Sequence, residues 1–195
     1  MPYDPQRHHR RSIRLRGYDY SQPGAYFITI CTQNRECLFG EVVDGEMELN
    51  DAGQMVAEQW QALPERFPHI RMDAFVVMPN HLHGIILIEP IDARADRATF
   101  GGHQEAPAQG APSIGVVIGA FKSLTTVLYA HGVRQFGWTP FFGRLWQRNY
   151  YEHIIRDEHS LKRIRAYILS NPSLWPLDRE NPQRIPGIGE GLLPW

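Results

Sequence analysis

The sequence predicts an α+β fold, a four-stranded antiparallel sheet of the split βαβ, ferredoxin-like kind, with helices on one face and an additional helix near the C-terminal end. Three observations carry this. The segments "AYFITICT", "IRMDAFVVM" and "HLHGIILI" are short runs of β-branched and aromatic residues bounded by turn residues. The segments "DAGQMVAEQWQAL", "SIGVVIGAFKSLTTVLYAHGV" and "EHSLKRIRAYILSN" repeat apolar residues at helical spacing. Their order, with a fourth strand before the last helix, is strand, helix, strand, strand, helix, strand, helix.

Residues 25–32 form the first strand. "QNRECLFGEVVDGEMELN" extends it as a hairpin turning at Asp44-Gly45. Asn50 caps the first helix, whose stripe is Val56, Trp60 and Leu63, and Pro64 limits it. The second and third strands are antiparallel neighbours joined at Pro79-Asn80. Residues 89–112 turn abruptly to Gly, Ala, Pro and Gln and read as a long loop. Ile114, Val117, Phe121, Leu124 and Leu128 mark the second helix. Residues 143–156, "GRLWQRNYYEHIIR", read as the fourth strand, and Asp157 opens the last helix. From Pro172 the chain is too rich in proline and glycine for regular structure. The expected organisation is one domain over 1–195: a basic arm (1–23), a core (24–171) interrupted by the 89–112 loop, and an irregular tail (172–195).

At 43% hydrophobic and 21% charged residues the balance is globular, which excludes wholesale disorder. No apolar run approaches the roughly 18 residues of a membrane span, and the arginine-bearing N-terminus lacks the apolar core of a secretory signal. Cys31 and Cys37 lack a metal-knuckle spacing, so a reducing cytoplasm is expected. A net charge of −1 argues against non-specific coating of nucleic acid. The distribution is less neutral: Arg7, Arg10, Arg11, Arg14 and Arg16 form one basic arm, and Arg144, Arg148, Arg156, Lys162, Arg163 and Arg165 a second basic group. Either a solvated face or a phosphate-binding surface has this pattern.

"MPNHLHGIILI" is the most informative stretch. In a strand His81 and His83 share one face with Ile85 and Leu87, while Leu82, Ile86 and Ile88 share the other. Both faces are apolar beyond the pair, as in a central strand covered on both sides. Two imidazoles there either hold a metal or are ordinary hydrogen-bonded histidines. On the last helix Leu161, Ile164, Ile168 and Asn171 form one stripe, with Tyr167 at its edge and one turn before Asn171. Pro172 ends the helix. Two imidazoles and an amide oxygen would leave open positions for a substrate. Without thiolate they favour Mg²⁺ or Mn²⁺ over structural zinc. A phenol beside such an ion suggests covalent attack on phosphorus. The metal's charge or Lys122 would have to help it ionise, because free tyrosine titrates near 10.

"MPNHLHGIILI" resembles the histidine-hydrophobe-histidine motif of HUH endonucleases. With "RLWQRNYYEHIIRDEHSLKRIRAYILSNPSLW" the chain is similar to the single-tyrosine HUH transposases, in particular the bacterial REP-associated tyrosine transposases. The pair alone is a weak signal; together with Tyr-x-x-x-Asn-Pro after "WQRNYYEH" it is specific. The resemblance runs from about the basic arm through Trp175. It implies cleavage of single-stranded DNA beside a hairpin, with Tyr167 joined to the 5′ phosphate and a 3′ hydroxyl left free. Retained bond energy would allow rejoining. It also implies a divalent metal, Mg²⁺ or Mn²⁺, on His81, His83 and Asn171, and a monomer or homodimer acting in a bacterial cytoplasm. The arginine arm would read bases near the hairpin, with Lys122 and Arg148 as further DNA contacts. Tyr150 or Tyr151 is the rival nucleophile, and Glu152 or His153 the rival third ligand. Trp146 belongs to the core or stacks on a base. A non-catalytic hairpin binder and a phosphoesterase using water are the rival functions.

Overall fold

The computed structural model describes residues 17–90 and 112–184. The arginine arm at Arg7, Arg10, Arg11, Arg14 and Arg16, nearly all of the predicted loop and the final residues of the tail lie outside the described residues.

Four strands form the main sheet: β1 (Gly24–Cys31), β4 (Ile70–Met78), β5 (His81–Ile88) and β6 (Tyr151–Ile155), in the order β4-β5-β1-β6 with every neighbouring pair antiparallel. Between β1 and β4 lie a small hairpin, β2 (Gly40–Val43) and β3 (Glu46–Leu49), and the helices α1 (Asp51–Gln61) and α2 (Leu63–Arg66). α3 (Ile114–Phe136) joins β5 to β6, and α4 (Glu158–Ser170) follows β6. Counting sheet strands only, the chain runs βαββαβ and then adds a helix, which is the predicted split βαβ arrangement.

The local reasons are legible. Asn50 Oδ1 accepts from Gly53 N at 2.9 Å and Asp157 Oδ1 from Ser160 N at 2.7 Å, so both predicted caps satisfy a free helix-end donor. Asp44 and Gly45 both take positive φ, 51° and 82°, as a two-residue turn of the mirror-image type demands. Pro64 does more than limit α1: it sits in the first turn of α2, where its missing N–H costs nothing.

The sheet is covered on both faces. Tyr26, Ile28, Ile30, Leu82 and Ile86 pack with Trp60 of α1 and Phe121 of α3. Phe27 and Ile85 on the opposite face pack with Ile164 and Ile168 of α4. β5 is therefore the two-faced central strand that its unbroken apolar run predicts. Gly84 is required by the first layer, because a Cβ there would stand 2.5 Å from the Trp60 ring.

Two expectations are corrected. The fourth strand covers 151–155 rather than 143–156, because the backbone of 144–149 is bonded elsewhere: Leu145 O to Gln33 N, and the carbonyls of Gln147 and Asn149 to the Lys122 ammonium. The tail is not wholly irregular, since Pro172–Leu177 forms a 3₁₀ helix continuing from α4. α3 holds no uninterrupted apolar run of spanning length, but by length and composition alone it is long and apolar enough to cross a membrane. Ile114, Val117, Ile118, Phe121, Thr125 and Tyr129 on one side of it are buried against the sheet layer.

Candidate active site

His81 and His83 leave β5 toward α4, at the end where β1 finishes. The register pairs Cys31 with His81 and Thr29 with His83. Both imidazoles are buried, with ring centroids 4.5 Å apart.

Hydrogen bonds orient each ring. Asn80 Nδ2 donates to Arg35 O at 3.0 Å and Glu180 O at 2.7 Å, which leaves Asn80 Oδ1 to accept. That oxygen lies 2.9 Å from His81 Nδ1. His81 Nδ1 therefore carries the proton, and Nε2 presents a bare lone pair into the site. On His83, Nδ1 shares a 2.8 Å hydrogen bond with the Thr29 hydroxyl, and Nε2 lies 3.3 Å from the Tyr167 hydroxyl.

α4 delivers Tyr167 and Asn171 to the same place. Ile164 and Ile168 anchor its stripe, and a bidentate ion pair ties it to β4: Arg165 Nε to Asp73 Oδ1 at 2.8 Å and a second guanidinium nitrogen to Oδ2 at 2.7 Å. Asp73 reaches α4 from a bulge in β4, where the register shifts between Met72 and Phe75. The Asn171 amide lies against both the His81 ring and the Tyr167 hydroxyl.

Asp178 was not anticipated. The 3₁₀ helix folds the tail back across the site, putting Trp175 against His81 at 6.0 Å and Asp178 Oδ2 at 3.8 Å from His81 Nε2. Ligand atoms of His81, His83 and Asp178 all lie within 4.8 Å of one another. Just beyond, Glu180 takes Arg35 Nε at 2.8 Å, locking the tail to the turn after β1, and also accepts from its neighbour Arg179 Nε at 3.0 Å. No local pattern marks Asp178 as a ligand; only the fold-back brings it to the histidines.

The electrostatics suit a cation. Burial lowers both histidine pKa values, that of His83 well below its usual range with the His81 ring contributing, so both imidazoles are neutral at physiological pH. Among the described residues, His81 Nε2 and Asn171 Oδ1 are buried without a hydrogen-bond partner. A lone pair, an amide oxygen and a carboxylate thus converge with no proton donor between them, an arrangement a divalent cation relieves. The side chains that converge here, His81, His83, Asp178 and Asn171, offer nitrogen and oxygen donors. Burial, with Asp178 contributing, also raises the Tyr167 phenol, against the lowering effect of Asn171.

The remaining candidates fall elsewhere. Lys122 lies on α3 beyond the opposite face of the sheet; its ammonium donates to Gln147 O and Asn149 O at 2.9 Å each and sits over the Tyr150 ring. It is thus committed to the loop before β6 and is not beside Tyr167. Glu152 is paired in register with Ile28, on the face away from the histidines, whereas His153 stands level with Phe27 on the histidine face, one step farther along it than His83. Tyr151 shares the Tyr167 layer through Phe27, whereas Tyr150 packs in the other layer. Arg148 is exposed, and Trp146 is buried with its indole donating to Thr125 Oγ1 at 2.9 Å.

No family model matches the chain. A protein of uncharacterised function from Haemophilus influenzae is 44% identical over 179 residues, 91% of this chain and 96% of that protein. The chain belongs to the same family as that protein. Among solved structures, a REP-associated tyrosine transposase bound to a REP hairpin is 19% identical, with 83% of this chain and 73% of that chain covered and a TM-score of 0.49. A proposed transposase from Deinococcus radiodurans is 18% identical, with 81% and 96% covered and a TM-score of 0.43.

Proposed function

We propose that this chain is a single-tyrosine HUH transposase that cleaves and rejoins single-stranded DNA at hairpin elements. One observation carries the reading: the Tyr167 hydroxyl lies 3.3 Å from Nε2 of His83, within a buried cluster of neutral imidazoles, an amide and a carboxylate. An ordinary core tyrosine needs no such neighbours.

His81, His83 and Asp178 would hold the metal, with Asn171 as a further oxygen donor. When bound, Mg²⁺ or Mn²⁺ supplies positive charge that polarises a phosphoryl oxygen and favours the phenolate. The chain's own residues do the rest. Asn80 and Thr29 fix the imidazoles. Asn171 faces the phenol oxygen, and α4, held by Arg165 to Asp73, aims that oxygen at the phosphate. The Tyr167 oxygen bonds to phosphorus as the bond to the 3′ oxygen breaks. The product is a 5′-phosphotyrosine and a free 3′ hydroxyl, whose return attack reseals the strand. Arg7, Arg10, Arg11, Arg14 and Arg16 would take phosphates and base edges beside the hairpin, with Arg148 as a further contact.

The test is a denaturing gel after incubation with end-labelled hairpin single-stranded DNA and Mn²⁺. A shifted, protease-sensitive band is expected. Free cut product without a shifted band would indicate a phosphoesterase using water, and binding without cleavage a non-catalytic hairpin binder.

A further inference from the structure

We propose that the connection between α3 and β6, residues 137–150, is a platform for unpaired bases, on which the Phe142 ring stacks a base while Arg144 and Arg148 take the flanking phosphates; this rests on the reading of the substrate as single-stranded DNA. Phe142 is 86% exposed, so folding gains almost nothing from it. A lone exposed apolar side chain is ordinary on a protein surface. Two features set this one apart.

The first is rigidity. Tyr129 donates to Thr139 O at 2.8 Å, and Phe141 packs on the Tyr129 ring. Gln147 N donates to Cys31 O at 2.9 Å, and the Lys122 ammonium closes the second half of the connection. The exposed ring stands on a braced loop, so seating a base on it costs little ordering of the chain.

The second is charge. From Ala106 to Tyr151 the sequence contains no aspartate or glutamate, yet it carries Arg134, Arg144 and Arg148 besides the committed Lys122. Both Arg144 and Arg148 are exposed. Glu36 acts on Tyr129 at the base of the loop. An aromatic face with exposed arginines two and six residues along the same connection is the chemistry that holds single strands without regard to sequence. Thr32, bridged to Trp146, directly follows the Cys31–His81 pair, so the platform meets the sheet at the end that carries the candidate site.

Fluorescence polarisation of the full chain with a labelled, unstructured oligothymidine, and with a blunt duplex for comparison, tests this. Phe142→Ala should weaken oligothymidine binding about tenfold or more, Phe142→Trp should keep it, and neither should change duplex binding or thermal unfolding. Arg144→Gln and Arg148→Gln should each flatten the salt dependence by about one unit of slope. Oligothymidine binding by Phe142→Ala within about twofold of wild type would overturn the platform, as would a shift of that variant from dimer to monomer with DNA affinity intact. Covalent adduct formation by a wild type whose Phe142→Ala variant binds normally overturns the platform alone. Loss of single-strand affinity in Phe142→Ala, where the wild type forms no adduct, upholds the platform and overturns the strand-transfer reading.

Discussion

His81 Nε2 and Asp178 Oδ2 face each other across 3.8 Å, one a deprotonated ring nitrogen and the other a carboxylate oxygen. They come from the middle and the end of the chain, and neither offers the other a hydrogen. Asp178→Asn keeps the shape and removes the charge. It should weaken Mn²⁺ binding about tenfold or more, roughly 1.4 kcal/mol, in calorimetric titration. Affinity equal to wild type would take Asp178 out of the ligand set. His81→Ala and His83→Ala should each abolish cleavage while leaving hairpin binding largely intact, because phosphate contacts carry most of that affinity.

Most of this geometry is legible in the sequence, and the part that is not has a physical reason. The strands at 70–78 and 81–88 and the caps Asn50 and Asp157 follow from local chemistry: β-branched runs, a turn pair and oxygen-bearing side chains before helical stripes. His81, His83, Tyr167 and Asn171 converge because strand and helix periodicity fix which face each occupies. Asp178 depends on a fold-back secured by Arg35 and Asn80 holding Glu180, contacts between residues far apart in sequence that no periodicity encodes. The aromatic run before β6 has strand propensity, but Lys122 and Thr125 of α3 draw its carbonyls and the Trp146 indole away from the sheet. Strand propensity measures fit to a pleated surface and yields to such contacts.

Gly84→Ala should destabilise the protein by about 1–3 kcal/mol, since the added methyl would strike the fully buried Trp60 ring 2.5 Å away. Urea denaturation reads this directly. Unchanged stability would mean that α1 shifts freely on the strand that carries both histidines.

Arg165→Met should cost about 1 kcal/mol at neutral pH, a modest value because the guanidinium is partly solvated. The hydrogen bonds from Arg165 hold the Asp73 carboxyl below its usual 3.8. A lowered folded-state value gives stability that is present above the unfolded carboxyl's pKa and lost as pH falls through the folded one. The gap between wild type and variant should therefore be constant from pH 7 to about 5 and close in stronger acid. A gap that persists at the acid end would assign the effect to packing of the arginine stem.

The central claim is that Tyr167 is the nucleophile. Tyr167→Phe removes one oxygen, keeps the ring against Phe27 and His83, and leaves Asn171 in place. Peptide mass mapping after incubation with hairpin single-stranded DNA and Mn²⁺ measures the outcome. The account predicts a nucleotide adduct on the wild-type peptide containing "AYILSNPSLW", none in Tyr167→Phe despite intact folding, metal binding and hairpin binding, and an adduct still formed by Tyr150→Phe and Tyr151→Phe. An adduct on the peptide containing "NYYEH", or one surviving in Tyr167→Phe, would contradict it.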